Sequence, residues 1–121
     1  MSTLNTVEIK AFLPAKDFEV SKNFYCDIGF IKASDEGGVA YFHHGQCSFL
    51  LQDFYDKALA ENFVMHLLVE DVDSWHQHVC KSGVAETYLV KVSEVVTQAW
   101  GMRDFTVLDP SGVLWRIGQN V

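Results

Sequence analysis

The sequence has little proline, few basic residues and no long apolar run, and each shortage argues against a class of protein. Two prolines and eight glycines among 121 residues leave no room for a low-complexity linker. Nine basic residues stand against sixteen acidic ones, and the formal charge of −7 disfavours nucleic acid, which needs a basic face. No apolar run approaches the length of a membrane span. The composition predicts one globular domain with neither nucleic acid nor membrane as a partner.

Cysteine is also scarce, with three residues and no CxxC spacing. An odd number at such spacing argues against both a disulfide framework and a zinc site. The first six residues have neither the basic nor the apolar region of a signal peptide. We therefore expect a cytoplasmic protein, and the negative charge favours a cationic or neutral small molecule as its ligand.

The chain contains an internal repeat. Segments 17–29 and 71–83 both begin with Asp, carry Cys at the tenth place and end with Gly, at an offset of 54 residues. Asp is a preferred residue before a helix and Gly is preferred just after one. The repeat predicts two equivalent helices, and we interpret Cys26 and Cys80 as packing residues on them.

Apolar runs on both sides of each helix predict strands. The predicted strands are 7–13, 30–33, 39–43, 47–54, 60–67, 88–92, 103–108 and 113–118. The segment 88–100 is the least clear, because its apolar residues fit a helix and a strand about equally. Neither half could bury its sheet face alone. We predict an α+β fold in a single domain, 1–121, in which two tandem βαβββ modules (about 5–55 and 60–119) form a curved mixed sheet cup with helices outside.

Side chains alternate between the two faces of a strand, so each strand has two rows. Four strands have one wholly apolar row, which is predicted to pack under the helices; in the first strand this row includes Val7 and Ile9. The opposite rows mix apolar and polar residues, which is typical of a ligand pocket. The alternative is that these rows face bulk water. The polar and aromatic residues concerned are Glu8, Lys10, Phe12, Gln52, His66 and Arg116.

Three motifs resemble the vicinal oxygen chelate superfamily, which includes glyoxalase I, extradiol dioxygenases and bleomycin-resistance proteins. They lie at 15–30, at 69–73 and at 103–112, where Asp109-Pro-Ser-Gly112 precedes a strand. The closing run from Arg103 to Gly118 resembles the bleomycin-resistance branch. This resemblance implies a metal-free protein that sequesters a small molecule. It also implies a symmetric homodimer, in which related chains often exchange modules.

Metal-dependent members of that superfamily offer one His, Glu or Gln from each of four strands. The resemblance places these positions on Lys10, Leu50, Val64 and Arg116. A divalent ion needs oxygen, imidazole or thiolate ligands, and none of the four provides one. The resemblance therefore implies no metal and no cofactor. His66 lies two residues beyond the Val64 position on the same face, and a register error would instead offer it, with Gln52 and Glu8, as ligands.

The predicted ligand-binding residues are Lys10, Phe12, Gln52, His66, Trp100 and Arg116. Trp100 is placed at the start of a strand lining the cup mouth, and Glu8 is a candidate to neutralise Lys10 or Arg116. No catalytic residue is assigned. Two alternatives stay open: a lyase or isomerase using His66, Lys10 or Arg116 in acid–base or electrostatic roles, and a regulatory module that reports ligand binding.

Overall fold

A computed structural model describes residues 3–121 and contains two four-stranded sheets. The first module consists of β1 (Phe12–Pro14), α1 (Phe18–Asp27), β2 (Ile31–Glu36), β3 (Val39–His44) and β4 (Cys47–Gln52). A short helix, α2 (Lys57–Glu61), leads into the second module. That module consists of β5 (Val64–Leu68), α3 (Val72–Lys81), α4 (Val84–Tyr88), β6 (Val96–Gln98), β7 (Met102–Leu108) and β8 (Leu114–Asn120).

The strand orders β1-β4-β3-β2 and β5-β8-β7-β6 are equivalent. In each sheet the first strand pairs in parallel with the last, and the other neighbours are antiparallel. The predicted α+β class with two βαβββ modules is therefore confirmed.

The two long helices begin and end as predicted. Asp17 accepts a hydrogen bond from the Val20 N–H at 3.2 Å, and Asp71 accepts one from the Ser74 N–H at 3.1 Å. After α3, Gly83 has a φ of +76°, which favours glycine because it has no Cβ. The packing role expected for the helix cysteines is wrong, because Cys26 and Cys80 both lie on the exposed side of their helices.

Two predicted strands are placed wrongly. In 60–67, Asp56 caps a helix by accepting the Leu59 N–H, so Ala60 is helical and the strand starts only at Val64. In 88–92, Tyr88 ends α4, and the segment makes only an isolated bridge to β7. Both errors arise where apolar spacing fits a helix and a strand alike.

The segment before β1, residues 3–11, is here called the N-terminal arm. Its apolar residues Leu4, Val7 and Ile9 are 99%, 100% and 95% exposed. The prediction that Val7 and Ile9 pack under the helices is therefore wrong within one chain. The physical reason is that β4 pairs only with residues 12–14 of this strand, and no helix covers the arm.

One hydrophobic core joins the two modules. At its centre the Tyr25 hydroxyl donates to Asp109 at 2.5 Å and accepts from the Trp115 indole N–H at 2.9 Å. Asp109 also accepts the backbone N–H groups of Ser111 and Val113. Burial raises the pKa of Tyr25 and of Asp109. This network ties α1 of the first module to the β7–β8 connection of the second.

Candidate functional site

Each sheet packs one face against the hydrophobic core. The opposite face is not covered by the long helix of the same module, α1 or α3, and is here called the open face of that sheet. On the first sheet, Ala40, Phe42, Phe49 and Leu51 are buried, and the residues between them are only partly covered. Alternation along the strands defines the first open face. Its residues are Phe12, Val39, Tyr41, His43, Ser48, Leu50 and Gln52.

The second open face is organised by register across β7, β8 and β5. Thr106 is paired with Arg116, and Arg116 with His66, so the three side chains form one row across the sheet. The next row is apolar. It consists of Leu108, Leu114 and Val64.

Five of the six predicted ligand-binding residues are divided between these faces, and the sixth, Trp100, lies in the β6–β7 turn. Phe12 and Gln52 lie on the first open face, with Lys10 beside them in the N-terminal arm; His66 and Arg116 lie on the second. Within residues 3–121 no hydrogen bond or ion pair joins the two groups. That all of them line one pocket stays a prediction.

The polar centre of the first open face is Glu8. Its carboxylate accepts hydrogen bonds from the Lys10 ammonium at 2.6 Å, the Tyr41 hydroxyl at 2.8 Å and the Ser48 hydroxyl. These bonds, that of Lys10 first, lower the pKa of Glu8 to about 2. The ammonium also lies 5.1 Å from the centre of the Tyr41 ring. Glu8 therefore neutralises Lys10 beside a 340 Å³ pocket that also includes His43.

The polar centre of the second open face is an ion pair between Arg116 and Asp104. Arg116 Nη1 lies 3.0 Å from Asp104 Oδ2, and the Gln98 amide donates to the other carboxylate oxygen at 2.9 Å. The Asp104 side chain is 2% exposed and that of Arg116 is 33% exposed. Glu8 is thus not the partner of Arg116. In β7 the polar residues Asp104 and Thr106 alternate with the apolar residues Phe105 and Val107. This alternation could have identified the open face of β7 from the sequence.

His66 and Trp100 have different surroundings. His66 Nε2 lies 3.3 Å from the Met102 sulfur. Gly118 of β8 makes this contact possible. A Cβ at Gly118 would lie 2.9 Å from the Met102 sulfur, so the absence of a side chain there leaves space for Met102 to cross β8. Trp100 lies in the β6–β7 turn and is 66% exposed, so its predicted place at the start of a strand is wrong.

Two cavities adjoin the open faces. The second-sheet pocket, of about 560 Å³, has walls from Val90, Val92, Leu108 and Leu114 and includes Thr106. Sequence reasoning missed it because 88–92 was interpreted as a strand rather than as an irregular segment. The inter-sheet groove, of about 290 Å³, lies between residues 47–49 of β4 and 65–68 of β5.

The residues at the family's metal-binding positions do not fit a divalent ion. Lys10 is bound to Glu8, Arg116 to Asp104, and Leu50 and Val64 are aliphatic. Within residues 3–121 no group of three or more His, Cys, Asp or Glu side chains could hold a metal ion. The alternative set is divided as well, because Gln52 belongs to the first sheet, Glu8 of the N-terminal arm contacts that sheet, and His66 belongs to the second.

Comparisons with known proteins agree with this architecture. The family model for the glyoxalase/bleomycin resistance protein/dioxygenase superfamily matches residues 4–117. A bleomycin resistance protein of Geobacillus stearothermophilus is 28% identical, covering 90% of this chain and 93% of its own length. One of Staphylococcus aureus is equally similar.

Solved structures give the same result. A bleomycin-binding protein complexed with bleomycin superposes with a TM-score of 0.82 at 25% identity, covering 96% of this chain and all of its own. The bleomycin-binding protein from Streptomyces verticillus, complexed with copper(II)-bleomycin, gives a TM-score of 0.79 at 22% identity. It covers 95% of this chain and 97% of its own, and its likeness concerns the fold alone.

Proposed function

The chain belongs to the glyoxalase/bleomycin resistance protein/dioxygenase superfamily, and we propose that it is a metal-independent binding protein that sequesters an organic antibiotic of the bleomycin kind. One observation carries the proposal: the four family metal positions hold Lys10, Leu50, Val64 and Arg116, while the open faces around them keep half-apolar walls. Apolar walls with a few oriented polar groups are suited to binding. The bleomycin-binding relatives support this choice of ligand class.

A lyase or isomerase has less support from the geometry. General acid–base catalysis needs a side chain free to exchange a proton with a bound substrate. Lys10 forms an ion pair with Glu8, Arg116 forms one with Asp104, and the Nε2 atom of His66 contacts a thioether. A regulatory role has no specific observation in its favour.

Calorimetric titration with metal-free and copper(II)-loaded bleomycin tests the proposal. We expect saturable binding of an intact antibiotic that is unchanged when the protein has been dialysed against a chelator. Elemental analysis is expected to find no stoichiometric zinc, iron, manganese or nickel. The proposal would be contradicted if metal-free bleomycin bound only after a divalent ion had been added to the protein. Turnover of a hemithioacetal substrate would also contradict it.

The proposed assembly is a homodimer in which a second copy covers the N-terminal arm. Glu8 and Lys10 on one side of the arm contact their own sheet, whereas Val7 and Ile9 on the other side contact nothing. Fully exposed apolar rows of this kind indicate an interface. The inter-sheet groove offers apolar walls of matching character, among them Phe49.

Sedimentation at micromolar concentration tests this assembly. The double variant Val7→Asp/Ile9→Asp is expected to convert a dimer to a monomer, because two charges would enter the apolar interface. Leu89→Asp adds a charge at an apolar position that is 89% exposed but lies outside the arm, and it is expected to leave the dimer intact. A monomeric wild-type protein would overturn this part of the proposal.

The proposal treats residues 1–121 as a single domain with modules at about 5–55 and 60–119. It excludes nucleic acid as a partner because the chain is acidic. It places the protein in the cytoplasm, where the exposed Cys26, Cys47 and Cys80 would stay reduced. None of the helices in residues 3–121 has the length and apolar character needed to cross a membrane.

A further inference from the structure

We infer that the second open face is a subsite for an oxyanion, such as a carboxylate, carried on an apolar body. The inference goes beyond the proposed function and is tested separately from it. Three observations carry it: the row formed by Thr106, Arg116 and His66, the buried support of Arg116, and the apolar pocket beside that row.

The row places three polar side chains on adjacent strands. Residues opposite each other across strands have Cβ atoms about 4.5–5.5 Å apart on the same face. The Thr106 hydroxyl and the Arg116 guanidinium are therefore neighbours, with His66 on the far side of Arg116. Together they form a polar strip centred on Arg116.

Arg116 is oriented and still has free donors. A guanidinium carries five N–H groups, and the bond to Asp104 uses one nitrogen, Nη1. Because Asp104 is almost fully buried and is also held by Gln98, it fixes the guanidinium in place. The remaining N–H groups belong to a side chain that is one-third exposed, so they are accessible to a ligand. Charged donors of this kind bind carboxylates strongly.

The apolar body fits the second-sheet pocket. Thr106 belongs both to the polar row and to this pocket, whose walls include Val92, Leu108 and Leu114. Lys91 lies on its lining and adds a second positive charge. None of its described lining residues is acidic, although the whole chain carries a charge of −7.

The first open face does not offer the same chemistry. Its central group is the Glu8 carboxylate, which is 24% exposed and would repel an oxyanion, whereas the Asp104 carboxylate that holds Arg116 is only 2% exposed. The geometry therefore assigns the oxyanion to the second sheet alone.

A pair of probes with the same ring and opposite charge tests the inference. We expect 1-naphthaleneacetate to bind at least about 10-fold more tightly than 2-(1-naphthyl)ethylammonium in calorimetric titrations, as expected for hydrogen bonds to a charged group. Asp104→Asn/Arg116→Met removes the charged pair without stranding either member and should remove most of that preference, because only the positive charge of Lys91 remains beside the pocket. Thr106→Val, which preserves the shape of the side chain, should reduce acetate binding about 3-fold or more.

The matched control is Asp73→Asn/Arg103→Met. It removes another Arg–Asp ion pair, at 2.8 Å, from the opposite face of β7, and should keep the preference for the acetate. Equal or tighter binding of the ammonium probe, or a preference that survives both Asp104→Asn/Arg116→Met and Thr106→Val, overturns the inference. Titration with bleomycin in parallel separates the two proposals. Bleomycin binding without the acetate preference removes only the subsite, whereas the preference without bleomycin binding removes only the antibiotic function.

Discussion

The two modules share strand order and helix caps, yet their open faces use charge differently. On the first, Glu8 and Lys10 form a pair whose side chains are both about one-quarter exposed (24% and 25%). On the second, the Asp104 carboxylate is 2% exposed and depends on Arg116 and Gln98 for its hydrogen bonds. A solvated pair contributes little to stability, whereas breaking a buried pair is costly. The two equivalent sheets thus carry different charged pairs: a partly exposed pair on the first open face, and on the second a pair fixed by a buried carboxylate.

The helices differ in a similar way at equivalent positions. Tyr25 in α1 corresponds, at the offset of 54 residues, to Val79 in α3. Both are buried, but only the tyrosine carries a hydroxyl that reaches the other module, where it meets Asp109 and Trp115. The first module therefore provides the polar link between the two halves.

Removing that link should have the largest effect. Tyr25→Phe leaves the Trp115 N–H and one Asp109 oxygen without their partner, and we expect a loss of about 2–5 kcal/mol in the free energy of unfolding. Tyr88→Phe is the control, because Tyr88 also donates to an aspartate, Asp27, at 2.5 Å but near the surface. It should cost about 1 kcal/mol. Similar losses for the two variants in urea denaturation would contradict the distinction.

The second prediction contrasts the two charged pairs. Arg116→Met should lower the free energy of unfolding by roughly 3 kcal/mol, because it strands the buried Asp104 carboxylate with only Gln98 as a partner. Lys10→Met in the N-terminal arm should lower the melting temperature much less, because this pair is more exposed to solvent and Tyr41 and Ser48 still donate to Glu8. Adding Asp104→Asn to Arg116→Met should restore most of the loss. If Arg116→Met were as stable as the wild type, the Arg116–Asp104 pair would be no more important for stability than the Lys10–Glu8 pair.

The third prediction concerns equivalent positions at the ends of β4 and β8. Gly118→Ala places a Cβ 2.9 Å from the Met102 sulfur and from the Asp104 Cβ, so we expect about 1–2 kcal/mol of destabilisation from overpacking. Gln52→Ala, at the corresponding place in the first sheet, should cost no more than about 0.5 kcal/mol. Thermal denaturation of both variants measures the difference. Equal effects would show that Met102 can move aside freely.

The smallest effect is electrostatic. Lys10→Met should raise the pKa of Glu8 from about 2 toward its usual value of 4.5, because the Lys10 hydrogen bond is the largest cause of the shift. Tyr41→Phe should raise it less. Since the folded-state pKa is lowered, the stability that Glu8 contributes is present above pH 4.5 and is lost as the pH falls toward 2. Carboxyl NMR titration measures both variants, and an unchanged pKa in Lys10→Met would contradict the assignment.

Local signals in the sequence were sufficient for the family, the fold class and the two long helices. Asp17 and Asp71 cap their helices through bonds within three residues, so a short window contains the whole cause. Asp56 caps α2 in the same local way, but the apolar run that follows it fits a helix and a strand alike. The metal-ligand positions came from the family resemblance, and at Leu50 and Val64 no rearrangement turns an aliphatic side chain into a ligand.

Non-local pairing could not be predicted in the same way. The alternation of Val7 and Ile9 is that of a strand, but a strand needs a partner, and β4 provides one only from Phe12 onward. The partner of Arg116 depends on the β7–β8 register, which brings Asp104 to the same face. The second-sheet pocket depends on the irregular path of 89–95, where helix and strand spacing coincide.

The parallel pairing within each module also has a consequence for synthesis on the ribosome. Phe12 pairs with Leu50, and Val64 pairs with Leu114, so every strand of the first sheet has been translated before β5 begins. Because chains emerge N-terminus first and fold in units, the first module can close while the second is still being made. During that interval the Tyr25 hydroxyl has no Asp109 to bind. The aromatic face of the first module therefore stays without its polar partner until the second module has emerged and folded onto it.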